Sequence, residues 1–189
     1  KVIGQITKNA DDPTVAMAAT MQFIYQQRWE DAIAAVQGLI GKEPDPRAIL
    51  LLGQCQESAG KSTEARETFS RVIAAIKPSS DSVVPIDGRQ LPCFLAWANA
   101  GLGDKNKALE QARQAVADYS DDVLSKPFTE FVLASIQARF GEIDAAISAL
   151  PHLLEVPNGL TRAELRMDPL WDPLRNDPRF QKLCQEPGP

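Results

Sequence analysis

The stretch Ser58–Pro78, "SAGKSTEARETFSRVIAAIKP", decides how the rest of the chain is read. A short turn at Ala59-Gly60-Lys61 is followed by apolar residues at Ala65, Phe69, Val72 and Ile76, spaced by three and four. That spacing puts them on one face of a helix. A glycine directly before such a helix suits the end of a preceding one, because it takes a left-handed conformation that a Cβ would penalise.

Three other stretches have the same form: "QQRWEDAIAAVQGLIGKEP" (26–44), "AGLGDKNKALEQARQAVADYS" (100–120) and "ARFGEIDAAISALPHLLEVP" (138–157). Each carries an alanine at one fixed place, Ala32, Ala65, Ala108 and Ala146. Five residues earlier stands Gly60, Gly103 or Gly141, with Gln27 in that place in the first. Apolar helical stretches precede every turn: "PTVAMAATMQFIYQQ", "PRAILLLGQCQESAG", "LPCFLAWANAGLG" and "KPFTEFVLASIQARFG". No segment alternates apolar and polar residues with period two, so the expectation is all-α. The unit is helix, tight turn, helix, and the alanine is the small side chain needed where two antiparallel helices cross closely.

Four such units resemble the tetratricopeptide repeat family, whose repeat is about 34 residues of paired helices. Leu52-Gly53, Gly60, Ala65, Phe69 and Pro78 in the second unit match that pattern best, and the first has Trp29, Ala32, Val36 and Pro44 in comparable places. Leu95-Ala96, Gly103, Ala108 and Ala112 carry it in the third, and Leu133-Ala134, Gly141, Ala146 and Leu150 in the fourth. The resemblance implies a right-handed α-solenoid. Its repeats run about 13–45, 46–78, 89–121 and 126–158, after an extension at 1–12 and with a connector at 79–88. Successive marker alanines lie 33, 43 and 38 residues apart, so extra chain falls at "KPSSDSVVPIDGRQLP" and at "ADYSDDVLSKP". For the second of these, a longer second helix in the third unit plus a wider loop is expected.

Residues 159–189 form a distinct Asp-Pro-rich segment, "DPLWDPLRNDPRF" at 168–180 being its centre. Stacked helix pairs leave an apolar face open at each end and need caps. Asp before Pro starts short helices or turns, since Asp accepts from free backbone N–H groups and Pro suits the first helical position. Trp171, Leu174 and Phe180, with Leu170 and Leu183, are expected to cover the fourth unit, while Arg175 and Arg179 either pair with local aspartates or mark an exposed contact. Together with "LLEVPNGLT" and the enlarged connectors, this ending resembles the carboxyl-terminal repeats of bacterial multidomain proteins that carry a kinase, a cyclase or a winged-helix domain. The opening "KVIGQITKNADD" is no signal peptide and has no starting Met, so a piece of a longer protein is expected.

Chemistry is sparse. His152 is the one histidine, and no Gly-x-Ser-x-Gly, phosphate loop or EF-hand pattern occurs. Cys55, Cys93 and Cys184 are scattered, with no CxxC, and read as small hydrophobes rather than a disulfide or zinc framework. Asp11-Asp12 and Asp121-Asp122 precede helices and read as caps. The expectation is no enzyme, no cofactor and no metal site. A net charge of −5 with dispersed basic residues speaks against nucleic acid, and no apolar run reaches membrane-spanning length. Cytoplasm is the default compartment, or the periplasm if the parent protein has a preceding membrane helix.

In the resembled family the first helix of each unit lines the binding groove. Carried over by position, this implies Met17, Met21 and Tyr25; Arg47, Leu50, Gln54 and Glu57; Gln90, Cys93 and Trp97; and Phe128, Phe131, Ser135 and Arg139. The Lys-Asn-Arg clamp that grips a peptide carboxylate in one subgroup is replaced by Met17, Met21 and Leu51. An apolar or amphipathic protein segment, from another protein or from the same parent, is the implied partner. A ligand-sensing or self-assembling module, for instance a homodimer, is the second reading.

Overall fold

A computed structural model describes residues 13–40, 45–76 and 91–185, the side chains of 13–16 excepted. The extension 1–12 with Asp11-Asp12, Pro44, Pro78, the connector 79–88 and Gln90 lie outside the described residues. Ten α-helices and one 3-10 helix make up the described chain, with no strand among the described residues. The fold is therefore all-α, of the helix-pair solenoid class. The chain forms two compact units, Lys1–Val84 and Pro85–Pro189.

In Lys1–Val84, α1 (Pro13–Tyr25) pairs with α2 (Trp29–Leu39), and α3 (Pro46–Ser58) with α4 (Ser62–Ile76); α2 also packs on α3. Ile24, Ala32, Ile33, Val36, Leu52 and Cys55 share one core, and Phe69 and Val72 are also fully buried. Gly53 marks the tightest approach of α3 to α4, since a Cβ there would come within 2.7 Å of Phe69 Cε1. The large–small pair Leu52-Gly53 thus has a steric cause.

In Pro85–Pro189, α5 (Leu91–Leu102) pairs with α6 (Lys105–Asp118), and α7 (Lys126–Arg139) with α8 (Ile143–Glu155). Helix α7 touches both α5 and α6. Then follow α9 (Arg162–Met167), the 3-10 helix Pro169–Leu174 and α10 (Pro178–Gln185).

All four intra-pair turns are built alike. The residue at the glycine place has positive φ each time: Gln27 +55°, Gly60 +77°, Gly103 +84°, Gly141 +77°. Its N–H donates three residues back, to the carbonyls of Ile24, Glu57, Ala100 and Ala138. The next residue's N–H donates five back: Arg28 to Phe23, Lys61 to Gln56, Asp104 to Asn99, Glu142 to Gln137. These are Schellman closures. The carbonyls of Arg28, Lys61, Asp104 and Glu142 then accept from Ala32, Ala65, Ala108 and Ala146, opening the second helix. One residue therefore ends a helix and caps the next, which fixes where each marker alanine falls. All four alanines are buried.

The extra chain before α7 is not a longer helix. Helix α6 has 14 residues, one fewer than α4, so the addition lies wholly in the turn 119–125. Of the three Asp-Pro pairs, Asp168 and Asp177 accept from the N–H groups of Leu170 and Arg179, as helix starts should. Asp172-Pro173 instead lies inside the 3-10 helix, and Asp172 binds Arg175.

Gln27 occupies the left-handed place without glycine's freedom, which costs about 1 kcal/mol. Gln27→Gly should raise the stability of the protein by a fraction of that, after the added entropy of the unfolded chain. Gly53→Ala should lower it by about 1–3 kcal/mol through overpacking against Phe69. Thermal and urea unfolding followed by circular dichroism check both signs.

Candidate binding face and its cap

The family-implied positions divide between the two units. In Lys1–Val84, Met17 is 37% exposed, while Met21 and Tyr25 are half-buried against the core of α1, α2 and α3. Arg47 is exposed but turned to its own helix start, with a 2.6 Å ion pair to Asp45, whose carboxylate caps α3. The Asp45 carboxyl is lowered overall. Burial, the largest influence, raises it, and the hydrogen bonds and charge of Arg47 outweigh that. Gln54 and Glu57 are half-buried on α3. Leu50 is 3% exposed, so it packs the unit and offers a partner almost no surface.

In Pro85–Pro189 the corresponding positions meet. Helices α5 and α7 lie side by side, and on them Trp97, Phe128 and Phe131 form a half-buried aromatic row. Trp97 meets Phe128 edge-on at 5.7 Å and Phe131 at 5.9 Å, the favoured arrangement for aromatic quadrupoles. Its indole N–H donates to Ser135 Oγ at 3.0 Å, and that hydroxyl donates to the Val132 carbonyl. The ring is thereby held in one orientation. Arg139 Nε donates across to the Ala100 carbonyl at 3.1 Å, joining the last turns of α7 and α5. Ser135 and Cys93 are buried, so they support the row instead of presenting themselves.

The two deep thiols offer no nucleophile. Burial pushes Cys55 and Cys93 up to about 12, so both stay protonated near neutrality. His152 sits exposed on α8 with Nε2 3.3 Å from Glu130 Oε2. Among the described residues, no group of three His, Cys, Asp or Glu is placed to hold a metal ion.

The carboxyl-terminal segment closes over α7 and α8. Trp171, Leu174 and Phe180 are buried with Leu165 against Ala134, Ala138, Ala146, Leu150 and Leu153. Leu170 and Leu183 are half-buried at the margin. The chain reaches this position by reversing at Asn158-Gly159. Asn158 has φ +59°, and a Cβ at Gly159 would run into the Leu153 carbonyl oxygen. A capping box between Thr161 and Glu164 then starts α9. Both arginines left open by the sequence are engaged locally. Arg175 binds Asp172 and donates to the carbonyls of Arg166 and Asp168. Arg179 pairs with Asp177 and with Asp144 on α8.

Sequence reasoning did not foresee that Trp171 also stands edge-on to Phe131, 5.8 Å between ring centres. Phe131 thus packs on the aromatic row and on the cap at once. Nothing in the sequence could signal this, because the contact depends on how the 3-10 helix lies across α7. The Trp171 indole N–H has no acceptor among the described residues.

Residues 22–81 match the family model described as Tetratricopeptide repeat. That stretch covers the last turn of α1 and all of α2, α3 and α4. Repeats of this family generally mediate protein–protein interaction and are typically non-catalytic. No curated protein matches the chain. Among the described residues, no helix is long and apolar enough to cross a membrane.

Two outcomes test the cap. Trp171→Ala should cost about 3–5 kcal/mol and Trp171→Phe distinctly less, because phenylalanine keeps much of the packing and removes the unmatched N–H. Deleting residues 168–189 should lower the melting temperature sharply, and a truncated chain that melts like the whole would remove the cap assignment. Asp168 gives a pH signature. Burial, the largest influence, raises its carboxyl above the ordinary 3.8, against the Leu170 N–H that lowers it. An acid raised in the folded state costs stability once ionised, so stability declines as pH rises above the unfolded value of 3.8. Asp168→Asn keeps an acceptor for Leu170 and should raise the melting temperature at pH 7, the gain vanishing toward pH 3.

Proposed function

We propose that the chain is a non-catalytic protein-interaction module that takes a peptide or protein segment on the first helices of its helix pairs. In Pro85–Pro189 this face is the row Trp97, Phe128 and Phe131, ending at Arg139. The observation that carries the reading is the row itself: three half-buried aromatic rings, Trp97 edge-on to both phenylalanines, with the Trp97 N–H already satisfied. Such rings present apolar area at small entropic cost, which is why aromatic side chains dominate binding anchors. The partner that fits is an apolar or amphipathic segment. Met17, Met21, Tyr25 and Gln54 would serve the same purpose on α1 and α3. Leu50 is left out because it is buried.

We extend the reading to a cytoplasmic bacterial signalling or regulatory protein on the resemblance of its carboxyl-terminal sequence alone. The segment bound would come from another protein or from elsewhere in the same parent.

Selection of a phage-displayed peptide library on the purified protein tests the face. The selected peptides should share apolar anchors, and Trp97→Ala and Phe131→Ala should each weaken them at least about tenfold, as loss of an aromatic anchor does. Unchanged affinity in both variants, with helicity retained, would remove the assignment. A stable dimer by light scattering without any peptide would favour self-assembly.

A further inference from the structure

The turn 119–125, which joins the pair α5–α6 to the pair α7–α8, holds the extra chain before α7 and the two most exposed large hydrophobic side chains described. Val123 is 78% exposed and Leu124 72%. They are not on a loose loop. Tyr119 is buried at the start of the turn, and its carbonyl accepts from the Asp122 N–H at 3.0 Å. Asp122 Oδ1 accepts from the N–H groups of Leu124 and Ser125, and the Asp122 carbonyl accepts from Lys126 N–H at 2.9 Å. Backbone and carboxylate thus fix the turn from both ends and point two adjacent aliphatic side chains into water. Isolated exposed hydrophobes are ordinary. An adjacent pair held outward by a built turn is not required to join one helix pair to the next, since the stretch between α2 and α3, residues 40–45, holds no two adjacent aliphatic residues.

The surroundings give the chemistry of the occupant. Asp118 and Asp121 are exposed beside the pair, Asp122 lies within the turn, and Lys126 is the only basic residue from 118 to 126. The knob is therefore aliphatic with an acidic margin. We propose that Val123 and Leu124 form a second docking point, separate from the aromatic row, for a protein partner presenting an apolar socket with a basic rim. The acidic margin disfavours an anionic membrane surface, and direct burial of the two side chains supplies the affinity while the aspartates select the rim.

The test uses the whole chain and two synthetic helical peptides, each with a leucine face, one rimmed with lysine and its twin rimmed with glutamate. Amide shifts in nuclear magnetic resonance locate the contact. The lysine peptide should shift residues 119–126 and bind at least about tenfold more weakly to the double variant V123S/L124S, whose lost side chains no longer leave water. Binding should also weaken between 50 and 500 mM salt, as screening of the rim requires. Because both positions are exposed, the variant should melt within a degree or two of the parent. Shifts centred elsewhere, equal binding of the glutamate twin, an unaffected double variant, or stronger binding to phosphatidylserine vesicles than to the lysine peptide would each overturn the proposal.

Discussion

Everything in this fold depends on the closeness with which two helices cross at Ala32, Ala65, Ala108 and Ala146. Each alanine is sealed from solvent. A larger side chain would push the helices apart, and the apolar stripes on either side would lose their contacts together. The turn sets this distance. Because one residue both closes the Schellman motif and caps the following helix, the alanine is always four residues beyond that cap. Crossing and turn are one constraint, so a glycine-to-alanine spacing of five is enough to define the unit.

That economy explains what the sequence could show. The four helix pairs, the positive-φ turns and the buried alanines were legible, since each follows from spacing a few residues long. Trp171, Leu174 and Phe180 stand out in the sequence as large apolar residues of a segment broken by proline, and all three pack on α7 and α8. What was not legible depends on three-dimensional placement. Leu50 shares a helix with Arg47 and Gln54, and a family position cannot tell that it turns inward. Arg175 reaches the carbonyls of Arg166 and Asp168 only because α9 and the 3-10 helix fold back on each other. The added residues before α7 could have lengthened a helix, but Asp122 turns the chain instead.

The charged network is of secondary weight. Lys61 pairs with Glu30 at 2.7 Å and Lys105 with Glu142 at 3.1 Å, each from beside one turn to the neighbouring pair. These groups are largely exposed, and such pairs contribute up to about 1 kcal/mol. They help register one pair against the next. The stacking itself rests on the apolar stripes.

Phe131 gives the cap a consequence beyond stability. Its ring lies 5.9 Å from Trp97 and 5.8 Å from Trp171, so the aromatic row and the end cap share one side chain. A contact shared in this way couples two equilibria. Under the proposed function, a peptide that held Phe131 in this orientation would also favour the cap, and a cap displaced from α7 would leave Phe131 without its contact to Trp171. Reciprocity is required by linkage: whatever the cap adds to peptide affinity, the peptide adds to cap stability. An end cap made only of aliphatic residues on α8 would close the stack equally well without touching the row. The edge contact of Trp171 with Phe131 is what ties the 3-10 helix of the cap to the aromatic row.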